Sequence, residues 1–340
     1  MSIVINTSNI QIGSYVLCET PTGIYFSGSA RALCFQSAPP MAGSIAGYSA
    51  GGYVTPGTPA SNVIDKFPFA NNADATDAGD LSQSRSGAAG QSSSIFGYSS
   101  GGYPLINTID RFPFASNSPA TSVGCLSQAR GFNSGQSSST SGYTSGGTLG
   151  PPGNSISNVI DRFPFASNSP ATNVGCLTQT RQSAGGQSSS ISGYTSGSNL
   201  GAPGLTNTID KFLFSSDSTA TNVGCLSQTR AGPAGQSSTV SGYNSGGGAP
   251  TPSSQTDVNT IDKFSFATDS NASNVGGLTV SRREFGGTGI SSVSSGYTQG
   301  GVVVETANDT IDKFPFSSDS SATDVGNLTV GRRNAQGTQD

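Results

Sequence analysis

Chemistry in this chain would have to come from a small set of charged residues at fixed places. Twelve of its fifteen Lys and Arg residues occupy two repeated positions. One position follows an Ile-Asp pair, at Lys66, Arg111, Arg162, Lys211, Lys263 and Lys313. The other lies four residues beyond a leucine, at Arg85, Arg130, Arg181, Arg230, Arg282 and Arg332. The aspartates of the pairs are Asp65, Asp110, Asp161, Asp210, Asp262 and Asp312. Six guanidinium groups around a ring could form an anion site. The same six, each donating to carbonyl oxygens or to one of these aspartates, would instead lock neighbouring units together, because charge-assisted bonds to guanidinium are strong and directional. We favour the locks, since one ligand site does not need six identical copies of a pair.

Catalysis is poorly supplied. The chain has no histidine, so neither a Ser-His-Asp nor a Cys-His set can form. Glutamate occurs only at Glu19, Glu284 and Glu305, too few for the paired carboxylates of a glycosidase pocket beside aspartates that recur as repeat positions. No G-x-x-x-x-G-K-[ST] stretch is present, so the many glycines do not make a phosphate loop. Cys18, Cys34, Cys125, Cys176 and Cys225 are odd in number, and no C-x-x-C occurs. A zinc site is therefore not expected. The last three fall at equivalent places of successive units, too far apart to bridge, and read as small buried hydrophobes. The expectation is a non-enzyme without catalytic residues, cofactor or metal.

Composition limits the partners. Only 10% of residues are charged and the net charge is -4, a surface that attracts neither nucleic acid nor anionic lipid. No stretch approaches the ~18 apolar residues of a membrane span. The start, MSIVINTSNIQIGSY, lacks a basic region followed by an apolar one, so no ordinary signal peptide is expected.

The elements that position these residues are set by an internal repeat. Ile-Asp, then Lys or Arg, then Phe-x-Phe recurs six times, at spacings of 45 to 52 residues. Before it stands Gly-Tyr and, in most units, a double glycine; after it comes a Val/Ala-Gly-x-Leu segment ending in the arginine. This punctuation predicts four short strands per unit. In the second unit they are SGAAGQSSSI, FGYSSGG, NTIDRFPF and ATSVGCLS. No segment keeps a 3.6-residue pattern over three turns, so helix should be scarce. Regular aromatic and β-branched anchors also argue against a disordered Gly/Ser-rich chain.

Six such units predict an all-β, six-bladed propeller over residues 39–340. The first strand crowds the axis and must carry small side chains, as GQSSS does. Glycine's tolerance of positive φ suits the turn after the second strand. Ile64 and its counterparts should face one neighbouring blade, Phe67 and Phe69 the other. Pro68, Pro113, Pro164 and Pro315 lack an N–H and mark a bulge or strand end.

These markers, a glycine pair after the second strand, an aromatic third strand, a hydrophobic fourth strand and a following arginine, resemble the Kelch repeat over about residues 38 to 333. The family's usual fourth-strand tryptophan is absent, for the chain has none. The copper oxidases among Kelch-like propellers need histidine ligands that this chain lacks. The phrase IDKFPF…ATDVGxLTxxR…GQSSS…GYxSGG also looks like propeller repeats in structural proteins of marine tailed phages. That second resemblance implies a virion structural or appendage protein, capsid- or tail-associated, contacting a host-surface glycan or protein. The Kelch resemblance implies the alternative, a cytoplasmic or extracellular soluble module that binds a peptide or glycan.

Two features concern assembly. The loops between second and third strands vary most in length and share one face with the loops that carry the arginines, a usual place for recognition. Residues 1–38 are non-repetitive and apolar, with strand-like SIVIN and GIYFSG. The sixth unit reads as ending near Arg333 and the first as beginning near Pro39, so the blades are expected to abut whole. Residues 1–38 would then either supply an edge strand that closes the ring or anchor the protein to other virion proteins or to copies of itself.

Overall fold

In a computed structural model, residues 43–54, 59–150, 155–201, 204–251, 255–283 and 289–340 are described in full, and within 1–42 four strands are described by their backbone pairing. The chain divides into two compact units, Met1–Ala38 and Pro39–Asp340. The first is an antiparallel meander of Ile3–Ile5, Asn9–Ile12, Tyr15–Thr20 and Gly23–Ser27. Both segments expected to be strand-like are strands. Cys18 and Cys34 lie outside the residues whose side chains are described.

The second unit consists of six four-stranded antiparallel sheets, and no helix occurs among the described residues. Blade 2 runs outward from the axis through Ala89–Ser92, Phe96–Ser100, Thr108–Pro113 and Thr121–Cys125, at the places the repeat predicts. Blades 3, 4 and 5 begin with Ser134–Ser137, Gly185–Ser188 and Ala234–Ser237, and blade 6 with Ile290–Ser291. The chain is a six-bladed β-propeller.

Blade 1 corrects the expected phase. Its second to fourth strands are Ala46–Ala50, Val63–Pro68 and Thr76–Asp80, but its inner strand is Gln336–Gln339, antiparallel to Ala46–Ala50 with Gln336 opposite Ala50 and Gln339 opposite Gly47. The blades therefore do not abut whole, because the two ends of the repeat region share one sheet. The inner edge of blade 1, one of the two places open to residues 1–38, is filled by this strand.

The core lies between blades. Ile64 and Ile160 are fully buried, and Phe67 and Phe163 nearly so. Tyr98 of blade 2 meets Phe163 and Phe165 of blade 3 at ring separations of 5.5 and 4.9 Å, the second stacked. The motif repeats around the ring and closes where Tyr297 meets Phe67 and Phe69 at 5.6 and 4.9 Å. Such offset and tilted pairs add to the area they bury. The glycine of each Gly-Tyr makes room for this packing: a Cβ on Gly97 would lie 2.3 Å from the ring of Phe112, its cross-strand partner. Gly101, in the following turn, adopts φ +68, where a Cβ would also strike the Arg130 carbonyl oxygen at 2.5 Å. Third strands end at Pro68, Pro113, Pro164 and Pro315.

Candidate functional site

Each repeated arginine follows the fourth strand of one blade and reaches the third-strand aspartate of the next. The pairs are Arg85–Asp110 at 2.8 Å, Arg130–Asp161 at 3.0 Å, Arg181–Asp210 at 3.0 Å, Arg230–Asp262 at 2.6 Å, Arg282–Asp312 at 3.1 Å and Arg332–Asp65 at 2.7 Å. All twelve side chains are at most 1% exposed, so the six guanidinium groups present no ring of charge to solvent. Other Nη donors go mostly to carbonyl oxygens, as Arg85 does to those of Gly101 and Thr108, while the Nε groups of Arg85, Arg130, Arg181, Arg230 and Arg332 are buried without a hydrogen-bond partner. Burial pulls the guanidinium pKa of Arg85 below its ordinary value, and the charge of Asp110 opposes that pull. The same balance acts at Arg130, Arg181, Arg230 and Arg332.

A register shift between Ile109 and Asp110, repeated in the other blades, aims the carboxylate at the neighbouring blade. There it accepts two further bonds that sequence reasoning missed. The N–H and hydroxyl of Ser82 donate to Asp110, and Ser127, Thr178, Ser227, Thr279 and Thr329 do the same at the other five junctions. The available signal was a Ser or Thr directly after the repeat leucine in all six units.

A second missed feature encircles the axis. The N–H of Ser92 donates to Ser137 Oγ, that of Ser137 to Ser188 Oγ, that of Ser188 to Ser237 Oγ and that of Ser237 to Ser291 Oγ, at 2.9–3.1 Å. Ser291 N–H then donates to Gln339 Oε1 at 3.3 Å and Gln339 N–H to Ser92 Oγ at 3.0 Å, completing a closed belt. The belt lines a small cavity of about 40 Å³, room for about three waters. Glycine is required beside it, for a Cβ on Gly135 would lie 2.1 Å from the carbonyl oxygen of Gly90. The inner-strand glutamines bind outward: Gln91 Nε2 donates to Tyr143 O and Thr144 Oγ1 of the next blade.

The loops after the second strands do share a face with the arginine loops, since Tyr103 pairs with Ser86 and Thr148 with Gly131. Parts of the longest, at 151–154 and 252–254, lie outside the described residues. Cys125, Cys176 and Cys225 are free but only half-buried, which corrects their reading as buried hydrophobes. They sit on outer strands, where the next blade covers one side only. Among the described residues no cluster of three His, Cys, Asp or Glu could hold a metal. No described helix is long and apolar enough to cross a membrane.

No family model and no curated protein matches this chain. Solved structures do. The structure titled "Structure of YjhT" aligns at TM-score 0.61 and 11% identity, over 78% of this chain and 93% of that one. The likeness is one of fold.

Proposed function

We propose that this chain is a non-enzymatic recognition and assembly protein: a virion structural or appendage propeller of Kelch-like type that is anchored through residues 1–38 and displays its variable loops to a host surface. One observation carries the non-catalytic part. The residues that recur in every blade and could do chemistry, the six arginines and six aspartates, are buried in blade-to-blade locks. What differs between blades is the loop after the second strand, and variable loops on a rigid scaffold are where recognition resides. The virion reading rests on the resemblance of the repeat phrase to phage propellers and on the apolar, separate N-terminal sheet.

The alternative is a soluble interaction module, favoured by one fact: the propeller closes on its own strands. The test is to express the full chain and one beginning at Pro39 and to probe purified particles for each by mass spectrometry. Incorporation of the full chain alone supports the proposal. Its absence from particles, with a monomer in sedimentation, leaves the soluble module.

A further inference from the structure

The face opposite the variable loops carries the turns between first and second strands together with the loops between third and fourth strands. The two are tied in every blade, as where Phe114 N–H donates to Ile95 O and Phe69 N–H to Ile45 O. On this face the repeated Lys or Arg of the third strand points toward the third-to-fourth loop of the next blade, and the ring divides into two halves.

In blades 3, 4 and 5 that loop supplies an aspartate. Arg162 pairs with Asp217, Lys211 with Asp269 and Lys263 with Asp319, at 2.9–3.0 Å. In blades 6, 1 and 2 the same loop position holds Asn72, Asn117 and Asn168. Arg111 accordingly donates to the amide oxygen of Asn168, a neutral partner. The three cations lie over aromatic rings instead: Lys66 over Tyr48 at 5.4 Å, Arg111 over Phe96 at 4.4 Å and Lys313 over Tyr297 at 5.7 Å. A ring quadrupole attracts a cation without cancelling its charge. Two acids lie nearby. Asp340 is within electrostatic reach of Lys66 but makes no ion pair with it, and Asp74 accepts from the N–H of Asn327. This half-face also carries apolar groups, for Ile45 and Ile95 are each 60% exposed and Phe96 stands where other blades have Ala or Ser.

We infer that the half-face formed by Ile45, Lys66, Ile95, Phe96, Arg111 and Lys313 is a docking surface for an acidic peptide segment that carries apolar side chains. Charge complementarity selects the occupant. The chain as a whole is net negative, while Lys66, Arg111 and Lys313, in consecutive blades, have no ion-paired carboxylate among the described residues, Asp340 acting on Lys66 only at longer range, and attract acidic segments here. The isoleucines and Phe96 exclude a purely polyanionic ligand as the best fit, because a sulfated glycan offers nothing to cover them. This surface goes beyond the proposed function, since it lies on the other face and needs no particle.

The test uses the full chain and a fluorescein-labelled peptide of alternating Glu and Leu, followed by anisotropy. The expected result is saturable binding that weakens as salt is raised, because exposed charges are screened beyond about 10 Å at 0.1 M. The triple variant Asn72→Asp, Asn117→Asp, Asn168→Asp gives this half the compensation of the other half and should weaken binding at least about tenfold. The converse triple, Asp217→Asn, Asp269→Asn, Asp319→Asn, should create a second site and raise the stoichiometry. Ile45→Ser with Ile95→Ser should also weaken binding. Equal binding by the first triple variant, no effect of the isoleucine changes, or binding of a heparin oligosaccharide or anionic vesicles in place of the peptide would each overturn the inference.

Discussion

Arg332 and Asp65 are 267 residues apart in sequence, yet their side chains meet at 2.7 Å with neither exposed to solvent. Five equivalent contacts join neighbours in the chain; this one joins its two ends. A buried pair is weak evidence for net stability, because desolvating two charges offsets most of their attraction, but leaving one partner alone is costly.

Removing one partner should therefore cost more than removing both. Arg85→Met, which strands Asp110 at a buried junction, should destabilise the propeller by about 3–5 kcal/mol. Adding Asp110→Leu should recover a large part of the loss. Urea unfolding of the wild type, both single variants and the double variant gives the comparison; a double variant as unstable as the sum of the singles would refute the coupling.

Deleting Gln336–Asp340 should open blade 1 and break the serine belt at Gln339, with loss of a single cooperative transition in calorimetry. Deleting residues 1–38 should leave that transition in place. If the two deletions exchange these outcomes, the closing strand has been misassigned.

Phe163 is 2% exposed and packs on Tyr98 of the preceding blade. Phe163→Ala should cost about 3–5 kcal/mol, the usual penalty for deleting a core aromatic. An unchanged midpoint in thermal unfolding would show that the junction relaxes around the gap.

Alkaline unfolding should follow the tyrosines. Burial raises the Tyr194 hydroxyl from 10.0 to about 12, and it also raises Tyr48, Tyr98, Tyr143, Tyr243 and Tyr297. Between these values the folded chain holds more protons than the unfolded one, so stability falls as pH rises. It is fully present below pH 10 and is lost as pH climbs through 12 and beyond. Phenolate absorbance should show six of the ten tyrosines ionising together with the loss of β circular dichroism. A full phenolate signal from a chain with unaltered dichroism would contradict this.

Most of the blade was legible because each element appears six times over. Ile64, Phe67 and the arginines as locks between blades could be placed from spacing, since a side chain repeated at one register position must meet the same neighbour each time, but spacing left open whether each arginine meets a carbonyl or an aspartate. Closure was not legible because its strand has lost the repeat's wording: where four other inner strands read GQSS and the sixth blade's reads GISS, residues 337–340 read GTQD. The spacing had survived. Gly337 follows Arg332 by the same five residues that separate Gly90 from Arg85 and Gly135 from Arg130. The other gap was side-chain chemistry within Ser-rich stretches. Composition cannot tell Ser92, which completes the axial belt, from Ser94, which is exposed in a turn. The substitution at Ile290 is similar: it stands where four other blades have glutamine, and it leaves the buried Oγ of Ser49 without a hydrogen-bond partner. The sequence marks the change but not the orphan.

The strand Gln336–Gln339 also sets a schedule for the molecule's synthesis. Ala46–Ala50 emerges early and waits for a partner made nearly three hundred residues later, which at roughly 5–20 residues per second is an interval of about 15–60 s. Throughout it one sheet has a bare inner edge, the kind of template that invites pairing with another chain. Two nascent copies on one message carry identical vacant edges and identical late strands. Crowded translation therefore favours exchange of Gln336–Gln339 between copies, and slow, dilute expression favours rings that close on themselves.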